Sequence, residues 1–253
     1  MNLKSTLLLS TLVLSSAAFA QAKAPEPDYT LSYNVGVVSD YRYRGISQSA
    51  RDPALQGGID FAHKSGFYLG TWASTIQWIK DSTPADRGAV EVDLYGGYKS
   101  SINDDFSYDV GLLQYWYPRN NYKLATGTNA NTTEVYGALT YKMFTAKYSH
   151  ALTDLFGTPN SSGSGYLDLS AGFDLGSGFT LTPHVGWQRI RGFGTYRDHA
   201  LTLNKDFGNG FNVSAALVGT NWKSHFGTPY TLPGSGTTDL GKTSLVIGAK
   251  YNF

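Results

Sequence analysis

The last twelve residues of the chain, 242–253, alternate between two kinds of side chain. Every second residue from Leu245 to Phe253 is apolar, and the residues between them are polar or small except for Val246. Because successive side chains of a β-strand point to opposite faces, this segment predicts a strand with one apolar and one polar face. The aromatic residue at its end is typical of the closing strand of a bacterial outer-membrane barrel.

The same period-2 alternation recurs through the chain. It predicts twelve strands, each near the ~9–11 residues that a tilted strand needs to cross a bilayer. An even number is what a closed bacterial barrel requires. The predicted strands cover residues 29–45, 53–63, 66–77, 88–99, 105–117, 132–142, 144–150, 165–174, 178–190, 196–206, 210–222 and 242–253.

The connections between these strands alternate strictly between short and long. The long ones, near residues 46–52, 78–87, 118–131, 151–164, 191–195 and 223–241, are rich in Gly, Ser, Thr, Asn and Pro. This pattern predicts an all-β transmembrane antiparallel β-barrel with short periplasmic turns at one end and longer extracellular loops at the other.

A Phe opens the strand after each of five short turns. Aromatic rings favour the membrane interface, where one side is apolar and the other wet. The five therefore predict an aromatic girdle near the periplasmic end. They are Phe67, Phe106, Phe144, Phe179 and Phe211.

The amino-terminal segment predicts secretion. Residues 1–20 combine Lys4, a short apolar run and the sequence Ala18-Phe19-Ala20, as in a signal peptide that is removed. Residues 21–253 then form a single barrel domain in the bacterial cell outer membrane. The apolar run of the signal is too short to span ~30 Å of hydrocarbon as a helix.

Composition excludes several functional classes. The chain has no Cys, and 20 Lys+Arg balance 19 Asp+Glu, so neither a thiolate site nor a nucleic-acid partner is expected. A secreted β-sandwich also alternates, but it is disfavoured here by the number and length of the strands.

Motifs that carry chemistry are weak. Residues 236–243, G-T-T-D-L-G-K-T, match the P-loop pattern, but a strand follows where a helix is needed, so the match is interpreted as chance. Ser149 and His150 are adjacent in a strand and point to opposite faces. No catalytic, cofactor-binding or metal-ligating residue is predicted.

The informative polar residues lie on the predicted inner face, because Lys or Arg facing lipid would cost ~2–4 kcal/mol near the midplane. Two interpretations stay open: these side chains line a wet channel, or acids and bases pair across the barrel and plug it. The predicted lumen-lining residues are Asp40, Arg42, Arg44, Asp60, Glu91, Asp93, Asp109, Glu134, Lys147, Asp168, Asp174, His184 and Lys250.

Several longer runs of sequence point to a particular protein family, whereas the alternation indicates only strands. Residues 39–48, S-D-Y-R-Y-R-G-I-S-Q, with 53–60, P-A-L-Q-G-G-I-D, and 66–74, G-F-Y-L-G-T-W-A-S, resemble the opening block of the TorF-type porin family. Residues 91–98 and 115–118 are similar to its later blocks. The resemblance implies an outer-membrane barrel of porin type and supplies no binding residues. Within the first block we expect Asp40, Arg42 and Arg44 to form a charge cluster with Asp60.

Together these features predict a porin-like channel for passive diffusion of small hydrophilic solutes. Its expected partners are outer-membrane lipid, the barrel-insertion machinery through Phe253, and the solutes themselves. The alternatives are a non-conducting barrel that binds a partner through its outer loops and an outer-membrane lipid-modifying enzyme.

Overall fold

Strands make up most of the computed structural model, which describes residues 27–82 and 87–253; the predicted signal peptide lies outside these residues. The strands are β1 (Tyr29–Val38), β2 (Arg42–Tyr43), β3 (Ile46–Ser47), β4 (Ala54–His63), β5 (Phe67–Thr75), β6 (Val90–Ser101), β7 (Phe106–Trp116), β8 (Thr132–Tyr141), β9 (Phe144–Ala151), β10 (Gly165–Ala171), β11 (Phe173–Gly176), β12 (Phe179–Ile190), β13 (Gly194–Asp206), β14 (Phe211–Thr220) and β15 (Ser244–Asn252). Short helices in the connections are α1 (Trp78–Ser82), α2 (Tyr122–Thr126), α3 (Trp222–Phe226) and the 3₁₀ turn η1 (Pro233–Ser235).

Twelve wall strands form a closed antiparallel barrel. Each pairs with its sequence neighbours, and β10 and β11 are two parts of one wall strand that both pair with β12. The last strand, β15, pairs with β1, with Asn252 opposite Asn34 and Tyr251 opposite Val35. The predicted fold class, strand number and closing pair are confirmed.

The outer face of the wall is apolar. In β1, Tyr29, Leu31, Tyr33 and Val35 are all exposed, and each is between 43% and 51% accessible. The residues between them point into the barrel. Exposed apolar residues therefore cover the outside while polar ones fill the inside, the reverse of a water-soluble protein.

The five predicted Phe residues open β5, β7, β9, β12 and β14, and all sit at the end of the barrel that carries the short turns. Two of them pack against outward aromatic rings of the neighbouring strand. The ring centroids are 5.0 Å apart for Phe67 and Tyr98 and 4.5 Å apart for Phe106 and Tyr141. A belt of aromatic rings thus surrounds the short-turn end.

The predicted first strand, 29–45, is wrong at its end. β1 stops at Val38, and residues 39–53, the inward loop, leave the wall. Within this loop β2 and β3 form a small hairpin whose turn residues, Arg44 and Gly45, have φ of 45° and 79°. Positive φ at both turn residues is the geometry of a tight two-residue hairpin, so the chain reverses where the alternation predicts that it continues.

Helices α1 and α2 lie in segments predicted as loops, and α3 begins at Trp222, the last residue of the predicted strand 210–222. Each is five residues long. No helix among residues 27–82 and 87–253 is long and apolar enough to cross a membrane.

A charge on the outer face should destabilise the barrel in lipid. Leu112 lies midway along β7 and is 53% exposed, whereas Leu124 is 91% exposed on α2. We expect Leu112→Arg to lower the free energy of unfolding in lipid vesicles by ~2–4 kcal/mol and Leu124→Arg to leave it unchanged. Urea unfolding followed by tryptophan fluorescence measures both. Equal stability of the two variants would show that lipid does not cover this face.

Candidate functional site: the barrel lumen

The inward loop places Arg44 across the barrel interior. One guanidinium nitrogen of Arg44 donates to both carboxylate oxygens of Glu134 on β8, at 2.7 and 2.9 Å, and the other donates to Gln188 on β12. Its guanidinium also lies over the rings of Tyr43 and Tyr166, at 4.7 and 4.1 Å from their centroids. Arg44 and Glu134 are almost completely buried. The pair therefore links the loop to the wall opposite the strands from which it starts.

Asp40 and Arg42 hold the loop in shape. The Arg42 Nε donates to Asp40 at 2.7 Å, and another Arg42 nitrogen donates to the carbonyls of Gly45 and Leu240, at 3.0 and 2.9 Å. The Ser47 hydroxyl donates to Asp40 at 2.6 Å. These contacts tie the hairpin to itself and to the connection before β15.

The tip of the hairpin docks against the end of β14, two strands from β1 in the barrel wall. A Cβ added at Gly45 would lie 2.6 Å from both the Gly219 carbonyl oxygen and the Thr220 Cγ2. Gly45 thus serves both the turn and this close approach.

Two acidic side chains of β6 lie beside the loop. Glu91 accepts a hydrogen bond from the Tyr41 hydroxyl at 2.6 Å. Next to it, Asp93 is buried, and its Oδ1 has no hydrogen-bond partner among the described residues. The loop therefore covers carboxyl groups as well as bridging the lumen.

Nearer the short-turn end, tyrosines hold the lumen carboxylates. The Tyr95 hydroxyl donates to Asp60, and the Tyr68 hydroxyl donates to Asp109, both at 2.5 Å. On the neighbouring wall, Lys147 lies 3.9 Å from the centroid of the Tyr136 ring.

His184 lies between two carboxylates on the wall near Arg44. Its Nδ1 is 3.3 Å from Asp168 and its Nε2 is 2.8 Å from Asp198. Asp198 also accepts from the Tyr166 hydroxyl at 3.1 Å. Asp198 is not among the predicted lumen residues, although the alternation of β13 places it on the same face as Tyr196 and Ala200.

The remaining predicted residues lie apart from this group. Lys250 lines the lumen near the short-turn end. Asp174 is exposed, and its carboxylate accepts from the Gly176 N–H at 2.8 Å in a short turn. Of the expected charge cluster, Asp40 and Arg42 do pair, but Asp60 binds Tyr95, and Arg44 pairs with Glu134 because the inward loop carries it away from β4.

Three cavities follow the barrel axis. Below the inward loop, two adjoining cavities of about 520 and 430 Å³ share the lining residues Val38, Gln56 and Trp72, and together they are called the lumen. At the long-loop end a third cavity of about 510 Å³ lies beyond the loop. Tyr43, in the inward loop, lines both this third cavity and the lumen. The inward loop therefore divides the interior into an inner lumen and an outer compartment.

The lumen can bind and orient polar solutes through hydroxyl, carboxylate and amine groups. Among the described residues, no group of three or more His, Cys, Asp or Glu side chains is placed to hold a metal ion.

Removing one member of the buried ion pair should destabilise the barrel. Glu134→Ala leaves the Arg44 charge buried, and we expect a loss of ~3–5 kcal/mol. Replacing both residues, Arg44→Met with Glu134→Leu, should restore most of it. Thermal unfolding in detergent measures the effect, with Asp174→Ala as the exposed control. A loss no larger than that of the control would show that the pair does not stabilise the fold.

Porins are among the solved structures with a similar fold. A KdgM porin is 10% identical with a TM-score of 0.55, and the match covers 88% of this chain and 98% of that chain. A KdgM porin in complex with disordered oligogalacturonate has a TM-score of 0.56 at 10% identity, with the same coverage. A NanC porin is 12% identical with a TM-score of 0.54, covering 88% of this chain and 99% of that chain. At this identity the similarity shows the fold.

Sequence comparison gives a family without a known activity. No curated protein matches this chain. The resemblance to TorF-type porins remains a prediction. The model of a family described as bacterial protein of unknown function (Gcw_chp) matches residues 21–253, so the chain belongs to the Gcw_chp family.

Proposed function

We propose that this protein is a porin-like outer-membrane channel through which small hydrophilic solutes diffuse passively. The proposal rests on two adjoining cavities with charged and polar lining residues inside a closed barrel whose outer face is apolar. An apolar outside suits lipid and a polar inside suits water, as in membrane-spanning barrels of this kind. The similarity to porin structures supports the same function.

The proposal includes the location and partners of the barrel. Residues 1–20 direct secretion, outer-membrane lipid surrounds the wall, and the insertion machinery recognises Phe253. The short-turn end then faces the periplasm and the long loops face outward. The TorF-type resemblance belongs to this proposal.

The charges of the lumen suit small solutes without a strong preference for either ionic sign. Lys147 and His184 line the same cavity as Asp168 and Asp198. Acids and bases facing one another reduce the net field on a passing ion. One similar porin was solved with oligogalacturonate, a polyanion.

The inward loop sets the resistance of the channel. It separates the lumen from the outer compartment, and Arg44 is the side chain that bridges the opening. Solutes therefore pass only where the loop leaves space or moves aside, so we expect a small conductance.

Planar-bilayer recording tests the channel. We expect the wild-type protein to give small stepwise currents with weak ion selectivity. Arg44→Ala should increase the single-channel conductance, because it removes a large side chain and frees the loop from Glu134. Arg197→Ala, whose side chain is exposed near the long-loop end, is the matched control and should match the wild type. Absence of stepwise current from both the wild type and Arg44→Ala would overturn the proposal that the barrel is a channel.

A second candidate is a non-conducting barrel that acts through its outer loops. The buried bridge from Arg44 to Glu134 and Gln188 favours it, because the bridge closes the lumen toward the long-loop end. Absence of stepwise current from both the wild type and Arg44→Ala would support this candidate. Lipid hydrolysis is the weaker alternative, since the similar structures are porins and His184 already lies between two carboxylates.

A further inference from the structure

The outer compartment beyond the inward loop is a cleft between two groups of aromatic side chains; we call it the loop cleft. Its volume of about 510 Å³ lies within the ~300–1,000 Å³ typical of small-molecule pockets. Its lining comes from the inward loop, from α1, α2 and α3, and from the connection between α3 and η1, and it includes Tyr43, Trp78, Tyr122, Trp222 and Tyr230.

One group is built around Trp78 at the start of α1. Its ring centroid lies 5.2 Å from that of Tyr117, 5.7 Å from that of Tyr122 and 6.5 Å from that of Phe156. Edge-on packing between these rings fixes their orientation. This side of the cleft is therefore a preformed aromatic surface.

The other group is built around Trp222 at the start of α3. Its ring centroid lies 4.6 Å from that of Tyr230, 5.3 Å from that of Tyr196 and 5.7 Å from that of Phe193. Leu232, in the connection before β15, packs against both groups. The cleft thus has aromatic residues on two sides, and one loop segment joins them.

The described lining residues carry no charged side chain. Their polar groups are the amides and hydroxyls of Gln48, Gln188, Ser47, Ser82, Thr158, Thr228 and Thr231, together with phenols. Burial raises the pKa of Tyr230 to about 12 and raises that of Tyr122, so both phenols are neutral near pH 7. The charged lumen begins only on the other side of the inward loop.

A donor without a partner lies at the cleft. The indole N–H of Trp78 is buried and has no hydrogen-bond partner among residues 27–82 and 87–253. Tryptophan N–H groups usually find a partner when buried. This nitrogen has no accessible surface in the structure, so a ligand oxygen in the cleft would reach it only after a small shift of the Trp78 ring.

From these features we infer that the loop cleft binds a short uncharged oligosaccharide. The C–H faces of its sugar rings would stack on the aromatic side chains, and its hydroxyl groups would pair with the amides, hydroxyls and the Trp78 indole. A charged sugar would find no counter-ion there, and a wholly apolar ligand would leave the polar groups unpaired. Binding at the loops goes beyond passive diffusion and does not require current through the barrel.

Calorimetric titration of the full-length protein tests the inference. The protein is kept in an amine-oxide detergent, because maltoside detergents carry sugar head groups that would compete. The probes are maltotriose, cellotriose, xylotriose and, as the charged comparison, trigalacturonate. We expect at least one neutral trisaccharide to bind about tenfold or more tightly than trigalacturonate. Absence of binding by all three neutral sugars would overturn the inference.

Two pairs of variants locate the site. Thr228 is exposed and lines the cleft, so Thr228→Trp should fill it and weaken binding about tenfold or more. Lys223→Trp, exposed on α3 outside the lining, should bind as the wild type does. Trp78→Phe keeps an aromatic ring but removes the indole donor, and about threefold to tenfold weaker binding is expected. Trp116→Phe, on the outer wall, should have no effect.

The outcomes separate the alternatives. Sugar binding that survives Thr228→Trp would place the sugar elsewhere and overturn the inference. Binding of the apolar probe N-phenyl-1-naphthylamine at the cleft, lost in Thr228→Trp, without any sugar binding, would overturn it in favour of an apolar ligand. Because the titration needs no ion flow, a barrel that proved non-conducting would leave a positive result intact.

Discussion

The interior of this barrel depends on the pairing of Arg44 with Glu134. A guanidinium inside a protein is costly unless it is paired and hydrogen-bonded, and here it has a carboxylate, an amide and two aromatic faces around it. The pair holds the inward loop across the barrel, and the loop in turn separates the charged lumen from the uncharged loop cleft. Both proposed activities, passage of solutes and capture of a sugar, follow from this division.

The wall of the barrel was predictable from the sequence. Successive side chains of a strand point to opposite faces. Once an outward Leu, Val or Tyr is identified, the residues on either side of it are therefore expected to face the lumen. The alternation of short and long connections orders the strands, and the closing pair of β15 with β1 follows from the even strand number. The same parity placed Glu134, Lys147, Asp168 and His184 on the inner face, where the structure has them.

The inward loop was not predictable by the same rule, because its residues continue the alternation. Asp40, Arg42 and Arg44 alternate with Tyr41 and Tyr43 as a strand would. Yet β1 ends at Val38, and the positive φ of Arg44 and Gly45 then reverses the chain in a hairpin that docks on β14. Such contacts are set by tertiary packing, which overrides local preference. The loop cleft was not predicted for a related reason. Its aromatic residues are scattered over several connections, and only the closed barrel brings them together.

Docking of the hairpin also bears on the order in which the protein assembles. Arg42 binds the carbonyl of Leu240, and Arg44 reaches residues on β8 and β12, so the partners of one short loop are spread over nearly the whole chain. Contacts between residues far apart in sequence form late, because the intervening chain must first be ordered. The loop gains all of these contacts only once β8, β12 and the connection before β15 are in place. A barrel that stalls before β15 is in place would leave Arg42 bound to Asp40 and Gly45 but without the Leu240 carbonyl, so a fully bonded hairpin is a mark of a completed molecule.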